Sequence, residues 1–268
     1  MNRRDALAVL NDRLPVLEPG HVWLVGAGPG DPGMLTLDAL AGITQADVII
    51  HDALIDRRVL ALAGPQAKLE YAGKRGGKPS TQQAAISERL VELARAARRV
   101  VRLKGGDPCV FGRGGEEALA LARAGVSYRI VPGLTAGLSA LSAASIPATM
   151  RGVNQAIIFA TGHAGLDDPL DWVALARTRQ PIVIYMGMRN IQNIVEALIR
   201  GGASASTPAA VIVAATTAQQ RVVISSLDRL VDDVAAVGLS LPGLIVVGDI
   251  VTVREDLLQI AAEFEGVR

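Results

Sequence analysis

Polar side chains that could take part in catalysis or binding lie in loops that directly follow aliphatic runs of the chain. Three of them are Asp52, Lys74 and Asp107. A carboxylate in such a place can stabilise a developing positive charge or accept a proton, and a lysine can bind an anionic group or tune a neighbouring acid. Each also fits a plain structural role: Asp52 could cap a turn, Asp107 could be a turn residue, and Lys74 could be a solvated loop charge.

The first glycine-rich loop, residues 26–33, reads Gly-Ala-Gly-Pro-Gly-Asp-Pro-Gly. It is similar to the dinucleotide fingerprint G-x-G-x-x-G, but Asp31 occupies the place of the third glycine. Pro29 removes a backbone N–H that a pyrophosphate would use, and the Asp31 carboxylate would repel that anion. S-adenosylmethionine has no phosphate and carries a sulfonium cation, so the loop fits that cofactor better than a nicotinamide dinucleotide.

Aliphatic runs alternate with helical patterns along the first half of the chain, and this alternation predicts a parallel α/β sheet. Ligands of such sheets bind at the carboxyl ends of the strands, which is where the glycine-rich loops lie. In the second half Arg221–Ile224 follows the preceding strand so closely that we expect a mixed sheet. The predicted strands are Val22–Val25, Asp47–Ile50, Lys68–Tyr71, Arg99–Leu103, Ser127–Val131, Ala156–Ala160, Ile182–Tyr185, Ala209–Val213, Arg221–Ile224 and Leu244–Val247.

The same pattern predicts four segments along the chain. Residues 1–20 form a polar N-terminal arm, 21–134 an N-terminal α/β domain, 135–153 an interdomain helix and linker, and 154–268 a C-terminal α/β domain. The predicted helices of the first half and the linker are Met34–Gln45, Gln82–Ala97, Glu116–Ala124 and Thr135–Ala144.

The composition limits the class of protein. Half of the 268 residues are hydrophobic and 3% are aromatic, which is typical of an aliphatic core around buried parallel strands. A net charge of +1 argues against a nucleic-acid partner, which needs concentrated Lys and Arg. The lone cysteine, Cys109, excludes an internal disulfide, and the three histidines form no spaced metal cluster, so we expect a cytoplasmic protein without a metal. We expect neither a signal peptide nor a membrane span, because no apolar run approaches about 18 residues.

Eight motifs follow one another along residues 22 to about 250. They are Gly26-Ala-Gly-Pro-Gly-Asp-Pro-Gly, Asp52-Ala-Leu, Gly73-Lys-Arg, Arg102-Leu-Lys-Gly-Gly-Asp-Pro-Cys-Val-Phe-Gly-Arg-Gly-Gly115, Val131-Pro-Gly-Leu-Thr-Ala-Gly137, Ile146-Pro-Ala-Thr-Met-Arg-Gly152, Thr161-Gly-His163 and Tyr185-Met-Gly187, and the aliphatic strand Val22–Val25 precedes them. Together they resemble the uroporphyrinogen-III C-methyltransferases of the tetrapyrrole methylase family. A single such motif is a weak signal, whereas this many in order is highly specific.

The resemblance implies a two-domain tetrapyrrole methylase fold, an α/β fold with S-adenosylmethionine in the cleft between the domains. It implies transfer of two methyl groups to ring carbons C2 and C7 of uroporphyrinogen III, which gives precorrin-2 and S-adenosylhomocysteine, and it implies a homodimer. Asp52 and Lys74 match the active-site positions. The implied cofactor contacts are Pro29, Gly105, Gly106, Asp107, Val110, Thr135, Ala136, Met186, Ala215 and Gly243, of which the last two lie in the least distinctive sequence.

Uroporphyrinogen III carries eight carboxylates, so cations are expected around the substrate. Those available in loops are Lys74, Arg75, Lys78, Arg113, Arg151 and Arg189. Two of the proposed residues also have plainer readings: Met186 could fill a gap in the core, and Thr135 could be a helix N-cap. Cys109 lies near the expected cofactor loop but lacks an identifiable base partner for a nucleophilic role.

Other functions remain open on the sequence. A methylase of the same fold could act on a later corrin intermediate or on a modified protein histidine. A nicotinamide-dependent oxidoreductase would use the first glycine loop, against the evidence of Pro29 and Asp31. A non-catalytic binding module is disfavoured by glycine-rich loops at so many strand ends. The sequence does not say whether the product feeds cobalamin or sirohaem.

Overall fold

The computed structural model describes residues 2–72, 83–163, 170–239 and 242–265. The chain divides into two compact units, Met1–Ala136 and Gly137–Arg268. Both are α/β units, as the alternating sequence pattern predicts. They are called unit 1 and unit 2 below.

Unit 1 contains a parallel five-stranded sheet, so the predicted parallel arrangement is confirmed. The strand order is β3-β2-β4-β1-β5. The inner strands β1 and β4 are buried along their whole length, and β4 is aliphatic except for Arg102 and Lys104. The strands are β1 Val22–Gly26, β2 Val48–His51, β3 Lys68–Tyr71, β4 Val100–Lys104 and β5 Tyr128–Val131.

Helices cover both faces of this sheet. Side chains alternate along β4, so Val101 and Leu103 enter the cluster that contains Trp23, whereas Val100 packs among the residues of the opposite cluster, with Leu90 and others. Arg102 and Lys104 share the face of Val100, because side chains of a strand alternate with a period of two. The helices of unit 1 are α1 Arg3–Asn11, α2 Leu37–Gln45, α3 Arg57–Leu60, α4 Gln83–Arg95 and α5 Gly114–Arg123.

Two regions of unit 1 differ from the sequence prediction. The predicted helix Met34–Gln45 is divided, since Pro32–Met34 forms a 3-10 turn and α2 begins after Thr36. The cause is the Thr36 hydroxyl, which accepts a hydrogen bond from the Ala39 N–H at 3.1 Å and caps the helix.

The segment 1–20, predicted as a polar arm, contains helix α1 and a docked stretch. Leu17 is 1% exposed and belongs to the core. Its N–H donates to Gln45 Oε1 at 3.1 Å, while Gln45 Nε2 donates to the Pro15 carbonyl at 3.1 Å. The Gln45 side chain of α2 therefore holds residues 15–17 in place through two hydrogen bonds to their backbone. Hydrophobic patterning does not reveal such a contact.

Unit 2 contains a mixed five-stranded sheet of order β6-β7-β10-β8-β9, as expected. Only the pair β6 and β7 is parallel, and β10 runs antiparallel to both of its neighbours. The strands are β6 Ile158–Thr161, β7 Ile182–Tyr185, β8 Pro208–Val213, β9 Arg221–Ser226 and β10 Gly243–Val247, and the helices are α6 Ala136–Ala143, α7 Trp172–Arg177, α8 Ile191–Arg200, α9 Leu230–Val237 and α10 Val253–Glu265. Among the described residues, no helix has the length and apolarity that crossing a membrane requires.

Candidate active site

Three glycines from different strand ends are in direct contact at the carboxyl edge of the unit 1 sheet. A Cβ built on Gly26 would lie 2.6 Å from the Gly106 carbonyl oxygen, and one on Gly133 would lie 2.2 Å from the same oxygen. Such distances leave no room for any side chain. The contact explains why glycine ends β1, follows β4 and follows β5, since it lets the three loops pack backbone to backbone.

The first glycine loop is paired with the loop after β4. Gly28 and Gly106 exchange two backbone hydrogen bonds, Gly28 N–H to Gly106 O at 3.1 Å and Gly106 N–H to Gly28 O at 2.8 Å. Both residues have positive φ, 70° and 67°, which glycine adopts without strain. Since the Gly28 amide is occupied and Pro29 has no amide, this turn offers a pyrophosphate few donors, and a dinucleotide site is disfavoured.

The carboxylates of Asp31 and Asp107 both accept hydrogen bonds from backbone N–H groups. Asp31 Oδ1 accepts from the Gly33 N–H at 2.8 Å and starts the 3-10 turn. Asp107 Oδ1 accepts from the Cys109 N–H at 2.8 Å, and its Oδ2 accepts from the Gly133 N–H at 3.1 Å. The turn reading of Asp107 is therefore confirmed. Each carboxylate oxygen of Asp107 keeps a second lone pair that can accept another hydrogen bond.

The remaining predicted cofactor residues of unit 1 gather at the same edge. A Cβ on Gly106 would lie 3.4 Å from the Ala136 nitrogen and 3.7 Å from the Thr135 Cα. Gly105 is exposed and Val110 is half-buried in the loop after β4. In that loop Phe111 and Arg113 also have positive φ, 54° and 59°, a conformation that costs energy outside glycine and recurs at binding sites.

A buried ionic cluster lies directly below this edge. The name inner cluster is used here for Asp52, Arg102, Lys104 and Glu117. Arg102 Nη2 is paired with Asp52 Oδ1, Arg102 Nε donates to Glu117 Oε1 at 2.9 Å, and Lys104 Nζ donates to the same Glu117 oxygen at 3.2 Å. The side chains of Arg102, Lys104 and Glu117 are 0–3% exposed, whereas that of Asp52 is 33% exposed.

Burial and charge act together on the two cations of the inner cluster. Burial lowers the pKa of the Lys104 ammonium, and the Arg102 cation lowers it further, against the opposing effect of Glu117 and Asp52. Burial also works against the charge on Arg102, but the carboxylates of Glu117 and Asp52 outweigh it and raise the pKa of the guanidinium. Because the side chain of Asp52 is partly exposed and the other three are buried, the charged network contacts solvent at Asp52.

The other predicted active-site residue, Lys74, lies outside the described residues, as do Arg75 and Lys78. Arg113, Arg151 and Arg189 are described and exposed, as expected for groups that would bind an anionic substrate. Burial, followed by the nearby Asp107 carboxylate, raises the pKa of the Cys109 thiol. A raised pKa disfavours the thiolate and thus a nucleophilic role.

Unit 2 brings its three predicted cofactor residues to one edge of its own sheet. Met186 follows β7 and Ala215 follows β8, while Gly243 begins β10, which lies antiparallel between those two strands. Gly243 is in register with Val213, and a Cβ on it would lie 2.7 Å from Val213 Cγ1. Topology alone therefore unites residues that are distant in the sequence.

Backbone strain marks the same edge of unit 2. Met186 has φ 55°, and Ala214 and Thr216, which flank Ala215, have φ 48° and 67°. Met186 is 52% exposed, so it is not a core filler. The Thr216 hydroxyl oxygen is buried and finds no hydrogen-bond partner among the described residues. Strained and unsatisfied groups of this kind cluster at ligand sites.

Sequence reasoning missed Arg102, Lys104 and Glu117 as a functional group. The available signal was the pair of charges at alternate positions of an otherwise aliphatic strand, which places both on one buried face. In the described ranges, no group of three or more His, Cys, Asp and Glu residues could hold a metal ion.

Comparisons with known proteins found one matching family and several similar sequences. The family description Tetrapyrrole (Corrin/Porphyrin) Methylases matches residues 21–231. A uroporphyrinogen-III C-methyltransferase of Sinorhizobium sp is 56% identical over 252 residues, 93% of this chain and 90% of the relative. Siroheme synthase 2 of Aeromonas hydrophila is 47% identical over 92% of this chain but only 53% of its own length.

A solved structure shares the fold. It is the uroporphyrin-III C-methyl transferase of Thermus thermophilus complexed with S-adenyl homocysteine, with 39% identity and a TM-score of 0.76 over 87% of this chain and 99% of that chain. The similar structure and the similar sequence therefore carry names of the same kind of enzyme.

Proposed function

This chain belongs to the tetrapyrrole methylase family, and from that premise we propose that it is an S-adenosylmethionine-dependent methyltransferase that converts uroporphyrinogen III to precorrin-2. The observation that carries the proposal on the structural side is the position of Asp52. Its carboxylate is the partly exposed end of the inner cluster and follows β2 at the carboxyl edge of the sheet, where the loops of Gly26, Gly106 and Gly133 also meet.

The residues of this edge fit S-adenosylmethionine. Gly26 and Gly133 have no room for a Cβ beside the Gly106 carbonyl, so the loops that follow β1, β4 and β5 pack backbone to backbone at the edge where we propose that the cofactor binds. The scarcity of free amides at Gly28 and Pro29 suits a ligand without phosphate. The residues that would hold the cofactor are Pro29, Gly105, Gly106, Asp107, Val110, Thr135, Ala136, Met186, Ala215 and Gly243. When bound, it supplies the methyl groups that are transferred to C2 and C7 of the substrate.

The protein groups have three tasks in this reaction. The first is to hold the ring carbon in line with the methyl group, which accounts for most of what such an enzyme must do. The second is to stabilise positive charge on the ring, and the third is to accept the proton that leaves the ring. Asp52 can perform the second or third task, because it is an accessible carboxylate anchored by Arg102. Lys74 is proposed to tune Asp52 or to bind a substrate carboxylate.

A product assay tests the function. The pure protein is incubated without air with S-adenosylmethionine and freshly prepared uroporphyrinogen III, and mass spectrometry counts the methyl groups added. Two methyl groups, with release of two equivalents of S-adenosylhomocysteine, are expected. If the protein binds the cofactor but adds no methyl group, the proposal is wrong and later corrin intermediates become the substrates to test.

The role of Asp52 is tested by Asp52→Asn, which keeps the shape of the side chain and removes its charge. We expect turnover to fall by a factor of about 10²–10⁴, the range for loss of a general base. Binding of S-adenosylhomocysteine, followed by calorimetry, should persist. Full turnover in Asp52→Asn would remove the carboxylate from the mechanism.

We further propose that the chain works as a homodimer in the cytoplasm, in cobalamin or sirohaem biosynthesis. Support for the dimer comes from the family resemblance, and support for the compartment comes from the lone thiol of Cys109, which suits a reducing environment. Light scattering coupled to gel filtration would measure the dimer directly, and a monomeric mass at micromolar concentration would contradict it.

A further inference from the structure

The inner cluster begins with two cations on one face of one strand. Arg102 and Lys104 occupy alternate positions of β4 and are both buried. Two buried cations so close together repel each other and need counter-charge. Glu117 of α5, fully buried, provides it from between them, because its Oε1 accepts from Arg102 Nε at 2.9 Å and from Lys104 Nζ at 3.2 Å.

Among the described residues, all the hydrogen bonds of the Glu117 carboxylate are made by Oε1. Oε1 also accepts from Gln83 Nε2 at 3.0 Å. The second oxygen, Oε2, is buried and has no hydrogen-bond partner among the described residues. Oε1 of Glu117 is therefore an acceptor that both cations share.

The two cations in turn face the two oxygens of Asp52. Arg102 Nη2 is paired with Oδ1, and Lys104 Nζ lies 4.0 Å from Oδ2. The guanidinium cannot turn away freely, since Arg102 Nη1 donates to the carbonyls of Ile50 and Leu103, both at 3.3 Å. The orientation of the Asp52 carboxylate is thus fixed from behind, and its solvent side stays open.

We infer that Glu117 is a positioning residue for Asp52, acting through Arg102 and Lys104 and not through any contact with substrate. The inference rests on the proposed function, in which the Asp52 carboxylate acts on the ring. A carboxylate that must meet a proton or a charge on a bound ring works best in one orientation, and a displacement of about 1 Å can cost about 100-fold in rate.

Glu117→Gln is the principal variant, because it preserves shape and removes the charge that holds both cations. We expect kcat for methyl transfer to fall about 100-fold, while KM for S-adenosylmethionine changes by less than about twofold. Glu70→Gln is the matched control, since Glu70 is also paired with an arginine of unit 1, Arg89. It should leave both constants unchanged.

A double-mutant comparison separates positioning from general support of the fold. If Glu117 acts through Asp52, the variant carrying both Asp52→Asn and Glu117→Gln should turn over no more slowly than Asp52→Asn alone. Losses that multiply would overturn the inference, because they would show that Glu117 contributes independently of Asp52.

A spectroscopic readout makes the test independent of turnover. The carboxylate ¹³C resonance of Asp52, assigned by its loss in Asp52→Asn, should move in Glu117→Gln and stay in place in Glu70→Gln. An unmoved resonance overturns the inference whatever the turnover. A moved resonance in a protein whose wild type adds no methyl group would uphold the positioning and refute the proposed function.

A second variant covers the case in which Glu117→Gln does not fold. Lys104→Met leaves the Glu117–Arg102 pair in place and removes the cation nearest Asp52 Oδ2. The Asp52 resonance is again expected to move, and an unchanged resonance would contradict the two-cation arrangement.

Discussion

The described part of unit 1 contains two ionic clusters. Each has two cations and two carboxylates and connects the sheet to a helix. In the inner cluster three of the four side chains are 0–3% exposed. The second, called the outer cluster, consists of Lys68, Glu70, Arg89 and Glu92, whose side chains are 21–68% exposed. Its geometry is at least as good, since Arg89 binds Glu70 through two bonds of 2.9 and 3.0 Å.

The difference teaches that burial, and not the quality of the hydrogen bonds, decides what a cluster can do. Water competes with every pair of the outer cluster and would replace a lost partner. In the inner cluster a lost partner leaves a charge without water, and removal of one member forces the others to move or to change protonation. An energetically costly cluster next to the proposed cofactor-binding edge suits orientation of a reactive group, whereas a surface cluster does not.

The largest effect is expected from Arg102→Met. It leaves Glu117 without its strongest partner and Asp52 without its anchor, so the free energy of unfolding should fall by about 3–5 kcal/mol. Urea-induced unfolding of the variant and the wild type measures this. A loss below about 1 kcal/mol would contradict the view that the inner cluster depends on its partners.

A smaller effect is expected from the matched change Arg89→Met in the outer cluster. The two ion pairs it removes are solvated, so the free energy of unfolding should fall by no more than about 1 kcal/mol. Repeating the urea titration in 1 M NaCl should shrink that difference, since exposed charges are screened at short range in such salt. The Arg102→Met difference should persist in the same salt.

The smallest effect concerns acid. The hydrogen bond from Arg89 is the main cause that lowers the pKa of Glu70 from 4.5 to about 2. A carboxyl group with a depressed pKa stabilises the fold above its unfolded pKa and loses that contribution as the pH falls through the folded value. Between about pH 4.5 and pH 2 the wild type should therefore lose its advantage over Glu70→Gln, which is ~0.5–1 kcal/mol after solvent screening. A difference that stays constant over this range would show that Glu70 is not coupled to Arg89.

The fold was predictable because most strands are rich in aliphatic residues and alternate with helical patterns along the chain. All ten predicted strands overlap observed ones, and Lys68–Tyr71 and Ile182–Tyr185 agree at both ends. The helix boundaries are less well predicted where a side chain ends the pattern, as Thr36 does at the start of α2. Leu17 was missed because its docking depends on a single glutamine, Gln45, and not on periodicity.

The candidate site was predictable in its loops but not in its support. The glycine motifs and Asp52 stand out along the chain, whereas Glu117 does not differ in type from its exposed neighbour Glu116. Only the helical spacing separates them, since Glu117 lies one turn before the buried Leu121 of α5. Glu117 is buried and Glu116 is exposed because Glu117 packs against β4. The contact between α5 and β4 depends on tertiary packing, which sequence spacing does not encode.

The contact of Gly26, Gly106 and Gly133 also sets a condition on when the proposed cofactor-binding edge of unit 1 can form. The three residues come from the first, fourth and fifth strands of unit 1, so the contact requires loop closure over most of the unit. A chain still on the ribosome that has completed α5 but not β5 has no such edge. Because the proposed site also uses Met186, Ala215 and Gly243 of unit 2, nascent chains that end at β5 should not yet bind S-adenosylhomocysteine, and binding is expected only once both units have been synthesised.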